Sequence, residues 1–219
     1  KRQLASSFKP MVYLAALEEG YSPCDYLDND SIQLTDFEEW NPQNYDLQTG
    51  GKYSLAASLA FSKNIPTVNL FFEVGYPQVK SIWKKLGFQS DLTDEPSTAL
   101  GAASASVYEL ASAYATFVSA EGKLIYVHQK EKPKKILNIE AVKLLNIILQ
   151  KAVKEGTGAA LAGTYGVRIP LAGKTGTSQN FADAWFTAYN PKAITVARVG
   201  ATLPKIHFSG GANGSASRL

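Results

Sequence analysis

The apolar and polar positions of this chain change period late in the sequence. Up to about residue 165 the apolar residues recur every three or four positions, the spacing of one face of a helix. SSFKPMVYLAALEE (6–19) predicts a first helix, with Ser6 or Ser7 as its cap, Pro10 tolerated in the first turn and Gly20 closing it. Residues 21 to 53 are rich in Asp, Asn, Pro and Gly and predict mostly loop, with a short strand at SIQLTD (31–36). SLAASLAFSKN (54–64), IPTVNLFFEVG (65–75) and YPQVKSIWKKLG (76–87) predict three further helices, the last closed by Gly87. ALGAASASVYELASAYATFVSA (99–120) predicts an alanine-rich core helix, since Glu109 interrupts it as a membrane span. NIEAVKLLNIILQKAVKEGTG (138–158) predicts an amphipathic helix ending at Gly156 or Gly158. After it, VRIPLAGKTGTS, DAWFTAYNP and KAITVARVG are short strand-like runs separated by turn residues, the pattern of an antiparallel meander.

Helices first and strands last predict an α+β fold, an antiparallel sheet packed against helices. The expected division is an all-helical lobe at 1–165, containing the first helix, and a sheet at 166–208. With 219 residues the chain suits one domain with a sizeable core. It starts at KRQLASSFKP without an initiator methionine and stops at GSASRL, so it is expected to be a piece of a longer protein, cut at both ends.

Composition excludes several function classes. At 45% hydrophobic and 19% charged, the chain is an ordinary globular one. A net charge of +3, from 22 basic and 19 acidic residues, is too mild to argue for a nucleic-acid partner. KEKPKK (130–135) is the one dense basic run and, carrying a proline, is expected to be a solvated loop. Cys24 stands alone, which rules out an internal disulfide or a cysteine metal site and leaves a structural thiol. His128 and His207 lack ligand-spaced partners. No apolar run approaches the roughly 18 residues of a membrane helix.

Three short motifs carry chemistry. In Ser6-Ser7-Phe8-Lys9, a lysine three positions after a helix-opening serine shares its face, so a neutral amine there can take the hydroxyl proton. In Ser62-Lys63-Asn64, at a helix end, a hydroxyl and a carboxamide can project to one side of a turn. In Lys174-Thr175-Gly176-Thr177 a lysine sits inside a strand, where a charge is costly unless something uses it. Strand alternation places Lys174 and Gly176 on one face and Thr175 and Thr177 on the other. Gly176 removes a side chain where another backbone or a ligand must come close. Each motif alone is weak. In this order and context, the three form a known signature of penicillin-binding proteins and class A β-lactamases.

With those residues in view, the chain resembles the transpeptidase domain of penicillin-binding proteins, most closely the bifunctional class A type. The flanks SSFKPMVYLAALEEGYSP, WNPQNYD, SLAASLAFSKNIPTVNL, PSTALGAASASVYELASAYATFVSAEGK and GKTGTSQNFADAWFTAYNP extend the likeness over nearly the whole sequence. The resemblance implies that Ser6 is the nucleophile attacking the D-Ala-D-Ala end of a peptidoglycan stem peptide, with Lys9 as general base. Burial and the nearby Lys174 charge would lower the Lys9 pKa, as that role requires. Ser62, assisted by Lys174, would relay a proton to the leaving D-alanine, and Asn64 would hold the donor's amide. Thr175 and Thr177, beside Lys174 and Gly176, would bind the terminal carboxylate, and the backbone amides of Ser6 and Thr177 would form the oxyanion hole. An amine of a neighbouring stem peptide would accept the acyl group, with carboxypeptidase chemistry as a side activity. The resemblance implies no metal or cofactor. It implies β-lactams as covalent inhibitors and a parent anchored at the periplasmic face of the cytoplasmic membrane that also carries a glycosyltransferase domain. One departure is Ala5, where the family usually has glycine.

Two alternatives stand beside this reading. A serine β-lactamase would need a glutamate to activate the deacylating water, and Glu95-Pro96 in DEPSTALG offers one, although Ala99 stands where asparagine is wanted. A non-catalytic β-lactam sensor or binding module would use the same fold, yet every catalytic residue type of the family is in place.

Overall fold

The computed structural model describes residues 1–37, 39–118, 136–203 and 205–208, with Asn180 described by its backbone alone. The basic run at 130–135 and His128 lie outside them. The helical part holds α1 (Lys9–Glu18), α2 (Leu55–Ala60), α3 (Ile65–Val74), α4 (Tyr76–Lys85), α5 (Val107–Val118), α6 (Ile139–Lys154) and the short α7 (Ala160–Gly163). The sheet of the last third is an antiparallel meander of β5 (Ala172–Thr177), β6 (Asp183–Asn190) and β7 (Ala193–Gly200), in spatial order β5-β6-β7. The α+β class is the one the sequence pattern calls for. Residues 1–165 also contain two short antiparallel ladders, β1 (Arg2–Gln3) with β4 (Ser104–Ala105) and β2 (Tyr26–Asp28) with β3 (Lys52–Ser54), which that pattern does not announce.

Helix α1 is apolar nearly all round, and such a helix has no solvent face to offer. Every residue from Lys9 to Leu17 is buried, and α3, α4 and α6 pack around it. One continuous core runs from Phe8, Met11 and Leu14 through Trp83 and Tyr114 to Trp185 and Tyr189 of the sheet. Phe88 stacks on Trp83 with ring centroids 3.6 Å apart. Helix α6 lies along β5, so the same packing that buries its apolar face positions the strand.

Three local expectations change. Ser6 does not open or cap α1: it lies in a 3-10 turn, Ala5–Ser7, and α1 begins at Lys9 with no side-chain cap. After Ala5, which is held at φ +49, the backbone N–H groups of Ser7 and Phe8 donate three residues back, to the carbonyls of Leu4 and Ala5, so the first turn closes as 3-10 rather than α. The helix expected from residue 99 starts only at Val107. Pro96–Leu100 forms a 3-10 turn ending at Gly101, where φ is +83 and a side chain would sit 2.0 Å from the Ala5 carbonyl oxygen. Glu109 then caps α5 reciprocally: its backbone N–H donates to Ser106 Oγ at 3.1 Å, and its carboxylate accepts from the Ser106 N–H at 2.9 Å. SIQLTD forms no strand; Leu34 makes an isolated bridge to Trp40 beside a 3-10 turn at Thr35–Phe37.

Candidate active site

The segment bearing Ser6 is fixed from both sides before it enters α1. Leu4 and Ala5 donate their backbone N–H groups to the carbonyls of Ala103 and Gly101 at 2.9 and 3.0 Å. Trp185 Nε1 donates to the Gln3 carbonyl at 2.8 Å, and the Tyr114 hydroxyl donates to the Ser7 carbonyl at 2.9 Å. Arg2 and Arg198 both reach the buried carboxylate of Asp183, tying β1 to the sheet. Gly176 lies against this segment: a Cβ there would fall 2.6 Å from Ser7 Oγ and 2.9 Å from the Leu4 carbonyl oxygen. Of the two uses open to a strand glycine, close approach of another backbone is the one seen, and Gly176 borders the cleft as well.

Ser62, Lys63 and Asn64 form the tight turn between α2 and α3, with Ser62 left-handed at φ +56. The Lys9 side chain reaches it from below. Its Nζ donates to the Ser62 carbonyl at 2.8 Å, the Lys63 carbonyl at 3.1 Å and Asn64 Oδ1 at 2.7 Å, with Ser62 Oγ at 3.4 Å. Lys174 approaches the same hydroxyl from the sheet, Nζ to Ser62 Oγ at 2.8 Å, and also donates to the Thr175 carbonyl at 3.0 Å. Both lysines are buried, Lys9 wholly and Lys174 to 1% exposure. Desolvation, and after it the Lys174 charge, hold the Lys9 pKa well below the ordinary lysine value. Desolvation brings Lys174 to about 7.

Alternation along β5 is as expected. Lys174 and Gly176 face Ser62 and the Ser6 segment, while Thr175 faces the end of α6, its hydroxyl 2.7 Å from that of Thr157. Among the described residues β5 is an edge strand of its sheet, so residues of both faces border the space beside it. That space is a cleft of about 210 Å³ lined by Ser6, Ser62, Asn64, Thr175, Gly176 and Thr177 among others. Lys9 and Lys174 supply its floor through Ser62 and Asn64. All eight side chains and glycines singled out in the sequence therefore meet at one place. Asn64 differs in detail from its expected part, because its carboxamide is already engaged, accepting from Lys9 and donating to the Gln43 carbonyl at 2.6 Å.

Sequence reasoning missed other residues here. Tyr45, Asp46, Phe61, Lys63, Thr157 and Phe181 also line the cleft. Asn44 stands behind it, and an asparagine in a Pro- and Asn-rich loop gives no signal distinguishing it from its neighbours. Thr157 follows the helix-ending Gly156, whose absent side chain lets the chain pass the Ala60 carbonyl; a Cβ would sit 2.1 Å from that oxygen. Glu95 does not border the cleft. It faces surface recesses with Phe37, Trp40 and Pro96. Cys24 is exposed, and His207 lies with Lys205 at a separate recess.

The cleft thus joins a serine on a turn before a buried helix, two buried lysines and a strand-borne Lys-Thr-Gly-Thr. The match to known proteins is specific: residues 2–218 fit the family described as penicillin binding protein transpeptidase domain, and the chain belongs to that family. It is 32% identical to penicillin-binding protein 1B of Vibrio cholerae over 219 residues, covering 91% of this chain and 28% of that protein. It is 32% identical to penicillin-binding protein 1B of Escherichia coli over 222 residues, covering 91% of this chain and 26% of that protein. The chain thus spans little more than a quarter of these relatives. Among solved structures, penicillin-binding protein 1A from Haemophilus influenzae superposes with a TM-score of 0.87 at 23% identity, over 97% of this chain and 40% of that one. The D,D-transpeptidase domain of a peptidoglycan glycosyltransferase from Eggerthella lenta gives a TM-score of 0.76 at 19% identity, over 99% of this chain and 63% of that one. These two likenesses concern the fold.

Proposed function

We propose that this chain is a serine D,D-transpeptidase domain that cross-links peptidoglycan, its site lying between a helical part at 1–165 and a sheet at 166–208. The supporting observation is the Ser62 hydroxyl, set 2.8 Å from the Lys174 amine and 3.4 Å from the Lys9 amine on the floor of a cleft that Ser6 lines. Two buried amines sharing one hydroxyl make a path for a proton.

In the proposed reaction Lys9 is neutral. A neutral amine keeps two N–H groups, enough for its two shortest bonds to Asn64 Oδ1 and the Ser62 carbonyl; the longer bond to the Lys63 carbonyl at 3.1 Å is the one given up so that the lone pair can take a proton. Ser6 Oγ attacks the carbonyl carbon between the terminal D-alanines, and its proton passes to Lys9. The oxyanion is met by the backbone N–H groups of Ser6 and Thr177, each such donor worth about 3 kcal/mol of barrier. The C–N bond then breaks. The departing D-alanine amine takes a proton from the Ser62 hydroxyl, which recovers one from the lysines, and an ester on Ser6 remains. An amine of a neighbouring stem peptide attacks that ester, loses its proton to the same relay and restores the Ser6 hydroxyl as the cross-link forms; water in its place gives carboxypeptidase activity. The Lys174 ammonium with the Thr175 and Thr177 hydroxyls binds the donor's terminal carboxylate. Asn64 keeps one N–H and one lone pair for the donor's amide.

The same proposal covers the setting. β-Lactams acylate Ser6 as substrate mimics. The chain works within a longer, membrane-anchored protein on the periplasmic side, with a glycosyltransferase domain elsewhere, as suits a chain spanning 28% of a penicillin-binding protein 1B. Fluorescent penicillin is expected to label the protein stoichiometrically and stably, and Ser6→Ala to abolish both labelling and cross-linking in cells. Rapid turnover of a chromogenic cephalosporin would overturn the proposal in favour of a hydrolase. Cross-linking undiminished by Ser6→Ala would overturn it in favour of a binding module.

A further inference from the structure

A helix leaves its first backbone N–H groups without partners, and an asparagine at the N-cap position ordinarily turns its side chain back to satisfy them. Asn64 is the N-cap of α3, yet its side chain makes no capping bond. It points instead at Lys9, Oδ1 to Nζ at 2.7 Å. The capping is done by another residue. Asn44, 1% exposed, accepts through its Oδ1 from the backbone N–H of Asn64 at 2.8 Å and of Ile65 at 3.2 Å. Its Nδ2 donates to Asn29 Oδ1 at 2.6 Å and to the Gln48 carbonyl at 2.7 Å, so the carboxamide uses both hydrogens and both lone pairs. Asn29, equally buried, is held in turn by the carbonyls of Gln48 and Gly50.

We propose that Asn44 is a positioning residue for the acylation reaction: by holding the two amides at the start of α3 it fixes the turn from which the Asn64 carboxamide holds the Lys9 amine. The inference rests on the transpeptidase reading above. Its physical content is a tether. The Asn64 side chain cannot take over these two amides, since an N-cap oxygen reaches the second or third helical residue and the second here is Pro66. Without Asn44 the amides of Asn64 and Ile65 lose their acceptor, the turn shifts, and the Asn64 Oδ1 moves off Lys9 with it. The neighbours of Asn44 act the same way on the turn: the Gln43 carbonyl accepts from Asn64 Nδ2, and Asp46 pairs with Lys63. The loop from 43 to 46 thus grips both residues that follow Ser62, and Asn44 is the grip that decides which way Asn64 faces.

The test is a double-mutant cycle on the purified full chain, read as the second-order rate of acylation by a fluorescent penicillin. Asn44→Ala is expected to acylate about tenfold more slowly than wild type, in the range for a catalytic group displaced by under an ångström. Asn64→Ala is expected to be slowed comparably or more. The double variant is expected to react no more slowly than Asn64→Ala alone, because Asn44 acts through that side chain. Asn44→Asp keeps the acceptor for the two amides but turns its other oxygen on Asn29 Oδ1 and the Gln48 carbonyl, so it should recover only part of the rate. A rate for Asn44→Ala within twofold of wild type overturns the proposal, as does a double variant whose loss is the product of the two single losses. If Asn44→Ala does not fold, Asn29→Ala, which removes the acceptor of the Asn44 Nδ2 group, enters the cycle in its place under the same criteria. A wild-type chain that takes up no penicillin sinks the transpeptidase reading itself. A reactive wild type with uncoupled variants sinks only the positioning role.

Discussion

The cleft has two walls, and they are held by different means. β5 is held by main chain: six residue pairs, from Ala172 opposite Tyr189 to Thr177 opposite Ala184, fix its register against β6. The 62–64 turn facing it has no ladder. Its left-handed Ser62 is kept in place by side chains from distant parts of the sequence, Lys9 from below and Asn44 and Asp46 from the loop. A ladder spreads its hold over many bonds and tolerates most side-chain changes, but it cannot move away from an intruding atom. A turn held by side chains can shift, and it does so when one of them is lost. The difference tells where each kind of substitution will hurt.

Gly176→Ala strikes the rigid wall and is expected to have the largest effect. The new methyl would meet Ser7 Oγ at 2.6 Å and the Leu4 carbonyl at 2.9 Å, both on the segment carrying Ser6. Acylation by penicillin should fall at least about a hundredfold. Stability should drop by about 1–3 kcal/mol, as for overpacked sites, measured by urea unfolding. Full activity would mean that the Ser6 segment moves freely against β5.

Lys174 joins the two walls, and its pH behaviour sharpens the comparison. Lys174→Met removes the donor to Ser62 Oγ and should slow acylation by about two orders of magnitude, the scale of a lost electrostatic contact at a reacting centre. The folded state depresses this lysine to about 7. Below that pH it is charged in both folded and unfolded chains, so the folded state bears the whole cost of burying an ammonium. Between pH 7 and the unfolded value near 10.4 that cost fades, and above it the amine is neutral in both states. The stability of Lys174→Met relative to wild type should therefore be most favourable at pH 6 and decline by pH 10, read from urea midpoints at each pH. In the wild type, acylation should rise on the acid side as Lys9 loses its proton and fall above about 7 as Lys174 loses its charge, two apparent values belonging to the pair. A pH-rate profile flat from 5 to 9 would contradict this arrangement.

Ala5→Gly is the smallest change. Ala5 holds φ +49 beside Ser6, a conformation glycine adopts without strain. The variant should be more stable by about 0.5–1 kcal/mol, with acylation altered less than threefold. A loss of stability would show that the Ala5 methyl, buried at 4% exposure, contributes more by packing than its backbone loses by strain.

Much of this was legible in the sequence, and the reasons are local. The apolar period announced α3, α4, α6 and the three-strand meander, whose boundaries fall within a few residues of the expected ones. Lys174 announced itself as a charge in an apolar strand. The β2–β3 ladder did not, because two- and three-residue strands in a polar loop carry no period. The helix expected from residue 99 was misread because an alanine-rich run fits a helix anywhere. What stops it is the close approach of Gly101 to Ala5, a contact between residues far apart in sequence.

The sequence by itself determined the α+β class, the three motifs and so the residues of the cleft, since side-chain chemistry and periodicity are properties of short stretches. Tertiary structure alone decided that Ser6 precedes its helix in a strained turn, that Gly176 serves the chain's own backbone, and that Asn44 caps a helix it does not belong to. Each of these depends on which distant groups come within hydrogen-bond or van der Waals range, a few ångströms that no local pattern encodes.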